Sequence, residues 1–143
     1  MTELSKNAQV PQCDKTAVMQ SVILPNELRL GNKILDKNNN SIVVTCITDI
    51  TIFSDEHFKS GQLIEWCKGI KLNEDLISEI CFNENKVMGM YRLDATDDYS
   101  ISFSLDNDMI YIGDDIEIRI SETPLHRFQN IYFSLTARVL TVA

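Results

Sequence analysis

Across 143 residues the chain has no long apolar run, and it holds only five glycines, three prolines, two histidines and one tryptophan. No stretch approaches the roughly 20 consecutive apolar residues that a bilayer-spanning helix needs. The opening Met1-Thr2-Glu3-Leu4-Ser5-Lys6 lacks the basic segment and apolar core of a secretory leader, so a cytoplasmic protein is predicted. Cys13, Cys46, Cys67 and Cys81 never form C-x-x-C, which removes the zinc-knuckle and redox-pair readings and leaves free buried thiols as the expectation. Four thiolates could still meet in space, but only His57 and His126 exist to help them, so metal binding is the minor reading and no cofactor is expected. Missing too are the phosphate-cradling G-x-x-x-x-G-K, the dinucleotide G-x-G-x-x-G, the zinc-binding H-E-x-x-H and the nucleophile elbow G-x-S-x-G. His57 follows Asp55-Glu56 and so imitates an acid–base cluster, but a solvated turn accounts for it. No enzyme is predicted.

Positive charge is also scarce. Thirteen Lys and Arg face 21 Asp and Glu, a net charge of −8. The imbalance is local: residues 1–72 are neutral, residues 73–122 hold thirteen acids against Lys86, Arg92 and Arg119, and the last segment adds only Arg127 and Arg138. Protein binding to nucleic acid is driven by Lys and Arg displacing counterions, so direct nucleic-acid binding through such a surface is disfavoured. A basic protein or ribonucleoprotein is the partner that the charge favours, and no membrane partner is expected.

What is present suits an α+β fold. Residues 1–24 are read as an N-terminal arm, with Asp14 capping a short element through Val18, Met19, Val22 and Ile23. Residues 25–143 are read as a single domain in two parts. In the first, 25–72, short strands are expected at Glu27–Leu35, Ile42–Ile47, Ile50–Ile52 and Leu63–Trp66. Between the first two, the Asn-rich turn Asp36–Ser41 suits left-handed backbone, and together they suggest a small SH3-like curled β segment. In the second, 73–143, Asn73 caps a short helix with Leu76, Ile77 and Ile80 on its apolar face. An antiparallel meander follows, with Val87, Tyr91, Leu93, Ile101, Phe103, Leu105, Ile116, Ile118 and Ile120 alternating with polar neighbours.

That meander needs a cover, and the amphipathic C-terminal helix supplies it. Thr123 reads as its N-cap and Pro124 as its first residue. Leu125, Phe128, Ile131, Tyr132 and Leu135 recur on one helical face, and replacing Phe128 or Ile131 with Asp is expected to leave the protein insoluble. Arg138–Val142 reads as extended. His126, Arg127, Gln129 and Asn130 fall on the opposite side, as either a recognition face or a solvated one.

The remaining binding candidates are Asp94, Asp97, Asp98, Asp106, Asp108, Asp114 and Asp115. Aspartate is a turn former, which explains each of them singly. Asp106-x-Asp108 lacks the rest of a calcium loop. If the hairpin turns gather at one end of the meander, these acids form one patch that imitates a phosphate backbone and fits a basic groove.

Three blocks carry a resemblance. Glu27-Leu28-Arg29-Leu30-Gly31-Asn32 is similar to Glu-Leu-Arg-Ile-Gly-Asn. Gly69 to Ile77, followed by Cys81-Phe82, is similar to Pro-Ile-Pro-Leu-Thr-Glu-Glu-x-Leu with a later Gly-Phe. His126 to Thr136 is similar to His-x-Leu-Gln-Asn-Leu-Tyr-Phe-Ala-Leu-Thr. Together, over residues 27–136, the chain resembles small proteins encoded by phages and prophages of Bacteroidetes-type bacteria. It departs from them at Cys81 and at Ala137, where the pattern has Gly. The resemblance implies a phage accessory protein and carries over no catalytic residue. The reading that follows is a non-enzymatic binder of a host macromolecule, concretely an anti-CRISPR-like inhibitor of a nucleic-acid-guided nuclease complex. The alternative is a structural module forming a homo-oligomer by strand addition.

Overall fold

β-branched residues between Asn- and Asp-rich turns give this chain many short strands. The computed structural model describes residues 23–81, 83–85, 89–97 and 99–142. The arm over residues 1–22, with the element expected after Asp14, lies outside the described residues, as do Val87 and Asp98. The described residues form an α+β fold of ten strands, all paired antiparallel, and two α-helices.

In the first part, β1 (Lys33–Leu35) pairs with β2 (Ser41–Val43), while β3 (Cys46–Thr48), β4 (Thr51–Phe53) and β5 (Gln62–Leu63) make a second small sheet. A bridge between Leu35 and Lys68 ties β1 to the segment after β5. Ile34, Ile42, Val44, Ile52 and Ile64 share one core, which also takes in Ile23, a residue the sequence assigns to the arm.

Three sequence expectations change here. Of the strand expected over Leu63–Trp66 only Leu63 is in the sheet, and Ile64–Trp66 is a 3-10 turn with Trp66 exposed. The strand expected over Glu27–Leu35 survives only as Lys33–Leu35. Pro25–Glu27 is a 3-10 turn, and Leu30-Gly31 turns again with Gly31 at φ 90. The apolar run Ile42–Ile47 is broken at Val44-Thr45, and Val43 and Cys46 are exposed. A small sheet covered on one face buries alternate residues only, so a continuous apolar run does not imply continuous burial.

In the second part, β6 (Asn83–Asn85), β7 (Met90–Asp94), β8 (Ser100–Ser104), β9 (Met109–Ile112) and β10 (Ile116–Arg119) form one sheet in the order β10-β9-β8-β7-β6. Tyr91, Leu93, Ile101, Phe103, Ile110 and Ile112 face a second core, as the period of two predicts. Ile116 departs from it and is half exposed, because β10 is the edge of the sheet.

Helix α1 (Glu74–Ile80) begins where expected: the Asn73 side chain accepts a hydrogen bond from the Leu76 amide at 2.9 Å. Ile77 and Ile80 are buried in the sheet's core.

Helix α2 (Leu125–Thr136) buries Leu125 and Phe128 completely, and the Phe128 ring lies 5.2 Å from that of Phe103 on β8. Ile131, Tyr132 and Leu135 pack against the same core but are only partly buried. The start of α2 differs from the expectation. Thr123 does not cap it: its hydroxyl donates to the Arg119 carbonyl at 2.7 Å, and Pro124 stands at the N-cap position. The first helical amide, Leu125, is instead satisfied by the Ile70 carbonyl at 2.7 Å, because the loop before α1 passes that end. Arg138–Val142 forms no strand and runs back along α2, where the Gln129 amide donates to the Leu140 carbonyl at 2.8 Å.

The helix ends at Ala137, held in left-handed backbone at φ 58 and ψ 24, with its N–H donating to the Phe133 carbonyl. An L-residue with a Cβ is strained there and glycine is not. Ala137→Gly relieves a left-handed penalty of about 1–2 kcal/mol and gives back about 0.4–1 kcal/mol in unfolded-chain entropy, so it is expected to stabilise the protein by about 0.5–1 kcal/mol, read as a higher thermal midpoint. An unchanged or lower midpoint would contradict that cap geometry.

Candidate functional site

The candidate acids do not form one patch. Register fixes their positions: Asp94 lies opposite Ser100, and Met109 lies opposite Ser104. Asp94, Asp97, Asp114 and Asp115 therefore occupy one end of the sheet, and Asp106 and Asp108 the other, separated by a strand length of about 13 Å at ~3.3 Å per residue. Successive turns of a meander alternate between its two ends, so turns that are close in sequence cannot all gather. Asp98 lies outside the described residues.

The first end is the richer one. Asp94, Asp97, Asp114 and Asp115 are all exposed there. The two turns that carry them are neighbours, since the Gly113 N–H donates to the carbonyl of Ser100, the strand residue that follows the other turn, at 3.1 Å. Arg92 pairs with Asp94 at 3.2 Å and partly offsets the charge. At the other end Asp106 is exposed, but Asp108 has a structural task. It sits at φ 55, accepts from the Ser121 amide at 2.9 Å and the Ser121 hydroxyl at 2.6 Å, and so holds the chain entering α2.

The polar side of α2 differs from the expectation of a free face. His126 is fully buried and Gln129 nearly so. Both, with Arg127 and Asn130, dock onto the first part of the domain. The His126 ring, through Nε2, hydrogen-bonds Glu27, and Arg127 pairs with the same carboxylate at 3.3 Å. Gln129 accepts from the Lys33 amide at 2.9 Å and donates to the Gly31 and Leu140 carbonyls. Asn130 accepts from the Asn32 side chain at 3.0 Å and donates to the Glu27 carbonyl. Helix α2 is thus covered on two sides, by the sheet and by the β1 region, and its polar residues are the joint between the two parts. Glu27 and Asn32 were missed as partners by sequence reasoning. The two strings that meet, Glu27–Asn32 and the one beginning at His126, stand about a hundred positions apart, and no local pattern pairs them.

Burial pulls the His126 imidazole below its ordinary pKa, against the pull of the Glu27 hydrogen bond and charge. Its Nδ1 is buried without a hydrogen-bond partner. Burial pushes Glu27 up, but the hydrogen bonds and charges of His126 and Arg127 prevail and hold it below the ordinary range. The pair is best described as a neutral ring donating through Nε2–H to an ionised carboxylate.

A second titratable cluster lies in the first part. His57 reaches past Asp55 and Glu56 to the buried Asp36, with Nε2 3.0 Å from Oδ2. Burial raises Asp36, but the Asn40 amide, His57 and the Asn38 amide together hold its carboxyl below the usual range. Cys67 is not an activated thiol beside this pair: burial and the Asp36 charge push it up to about 11, and burial pushes Cys81 up to about 12. Cys46 is exposed, contrary to the expectation of buried thiols; Cys13 lies outside the described residues. Among the described residues no group of His, Cys, Asp and Glu side chains is arranged to hold a metal ion, and no helix is long and apolar enough to cross a membrane.

Where α2 meets the first part, an open groove of about 670 Å³ is lined by Arg29, Leu30, Asn32, Cys46 and Ile47 from the first part and by Gln129, Asn130, Phe133 and Val139 from α2 and the segment after it. Comparison with protein-family models, curated proteins and solved structures returns no match.

Proposed function

We propose that this chain is a non-enzymatic phage or prophage accessory protein that binds a basic macromolecular partner through the acidic end of its five-stranded sheet. Its most concrete form is an anti-CRISPR-like inhibitor occupying the nucleic-acid channel of a guided nuclease. The observation that supports this reading is the exposure of Asp97, Asp114 and Asp115, next to Asp94, on neighbouring turns at one end of the sheet. Fixed carboxylates on a rigid sheet end keep their charges oriented at little entropic cost on binding.

The test is a pull-down against purified guided-nuclease complexes at two salt concentrations. Asp94, Asp97, Asp114 and Asp115 changed together to Lys should weaken capture by more than about tenfold while the thermal midpoint stays close to the parent's. Asp106→Lys, at the opposite end, should bind like the parent. Capture of the quadruple variant at parental affinity would overturn the acidic-end interface. Asp108 is left untouched because its carboxylate holds Ser121.

A second reading is assembly through the edge strand β10, where Ile116 is half exposed. Light scattering separates the two, since a stable homo-oligomer without capture of any nuclease favours assembly.

A further inference from the structure

The groove beside α2 differs from the acidic end in every respect. Its walls are apolar: Leu30 and Val139 are more than half exposed, at 58% and 52%, and Phe133 is exposed at 37%. Its polar lining is already committed. Each side-chain oxygen and nitrogen of Asn32, Gln129 and Asn130 has a partner within the protein, so these amides shape the groove without being free to recognise a ligand. The Thr45 hydroxyl is likewise bonded, to the Phe53 carbonyl.

That leaves Arg29 as the charged group at the groove. Its guanidinium carbon lies 5.8 Å from the centre of the Phe133 ring, and it has no carboxylate partner among the described residues, although the chain has more acids than bases. A guanidinium resting on an aromatic face still presents its N–H fork edge-on, and that fork matches a carboxylate. The volume lies within the ~300–1,000 Å³ of small-molecule sites, which are mostly apolar with a few placed polar groups.

We infer that this groove binds a small amphipathic anion, an apolar chain ending in a carboxylate, with the chain along Leu30, Ile47, Phe133 and Val139 and the carboxylate on Arg29. The committed occupant is a free acid in solution. Charge complementarity selects it, because a neutral chain would gain the apolar walls but leave Arg29 unused. A cationic chain would meet Arg29 with like charge.

The test uses the full chain with decanoate and 1-decanol as probes, followed by calorimetry. Decanoate should saturate one site and bind more tightly than decanol. Arg29→Gln should weaken decanoate by about tenfold, the usual worth of one charge-assisted hydrogen-bonded contact, and leave decanol unchanged. Val139→Trp, which fills the groove from an exposed position, should abolish both. In a Cys13→Ser background, decanoate should slow alkylation of Cys46, which lines the groove. Thermal melts identify variants that fail to fold. Non-saturating uptake, equal affinity for decanol, or an Arg29→Gln variant binding decanoate like the parent would overturn the site. None of these outcomes bears on the acidic end, so the two proposals fail independently.

Discussion

Phe128→Ala is expected to cost about 3–5 kcal/mol, the usual range for emptying a fully buried aromatic site. The side chain is completely enclosed and its ring meets Phe103, so the vacated space is bounded by a strand in the middle of the sheet and by the helix backbone, neither of which can collapse freely. For a domain whose whole stability is of the order of 5–15 kcal/mol, that leaves a marginal protein. Urea melts should show it as a large fall in midpoint. Leu135→Ala, at a partly buried position of the same helical face, should lose less than half as much. The same ranking corrects the aspartate expectation. Phe128→Asp should be insoluble, while Ile131→Asp, partly exposed, should be the milder of the two. A loss for Phe128→Ala below about 1 kcal/mol, against the range for such sites, would mean that α2 does not cover the sheet.

The second large effect is expected at the joint. Glu27→Ala should cost about 2–4 kcal/mol, because it leaves the Nε2–H of a fully buried His126 without an acceptor and removes the carboxylate partner of Arg127, which keeps only the Glu122 carbonyl. His126 then has no hydrogen bond at either ring nitrogen. Glu27→Gln keeps an acceptor oxygen and should lose less. The same site makes stability depend on pH. The folded His126 has a lowered pKa because it is buried, so below about 6.5 the unfolded chain takes up a proton that the folded chain resists. More protons on the unfolded state means stability rises with pH, by at most about 1.4 kcal/mol per pH unit from this group. Stability should therefore be complete above the ordinary histidine pKa and decline as the pH falls from 7 to 5. Glu27 and Asp36, whose carboxyls are lowered, add a further loss at more acid pH, as each is protonated. Denaturant midpoints across that range test it. A flat profile from pH 7 to 5, or one equally steep in His126→Gln, would exclude His126 as its source.

These two results concern opposite sides of one helix, and they separate what was legible from what was not. Phe128 was legible because burial against a sheet imposes a local period, and Leu125, Phe128, Ile131, Tyr132 and Leu135 repeat it. Asn73 was legible because an N-cap acts within its own turn. His126, Gln129 and Asn130 were misplaced for a related reason. A polar stripe on an amphipathic helix looks the same whether it faces water or a second layer of protein, and only the docking of β1 decides between them. Arg29 and Leu30 gave no sign of a groove, since its other wall is formed more than a hundred residues later by Phe133 and Val139.

The acids teach the same lesson at longer range. By itself the sequence determined the α+β class, the period of the strands, the cap of α1, the apolar face of α2 and the negative charge of residues 73–122. Each of these depends on neighbours within a few positions or on composition alone. The tertiary structure decided that Asp94, Asp97, Asp114 and Asp115 share one end of the sheet while Asp106 and Asp108 stand at the other. It also decided that Asp108 is tied to Ser121, and that His126 is enclosed against Glu27. Strand order and the docking of one part on another bring together residues up to about a hundred positions apart, and no local pattern records which partners they will meet.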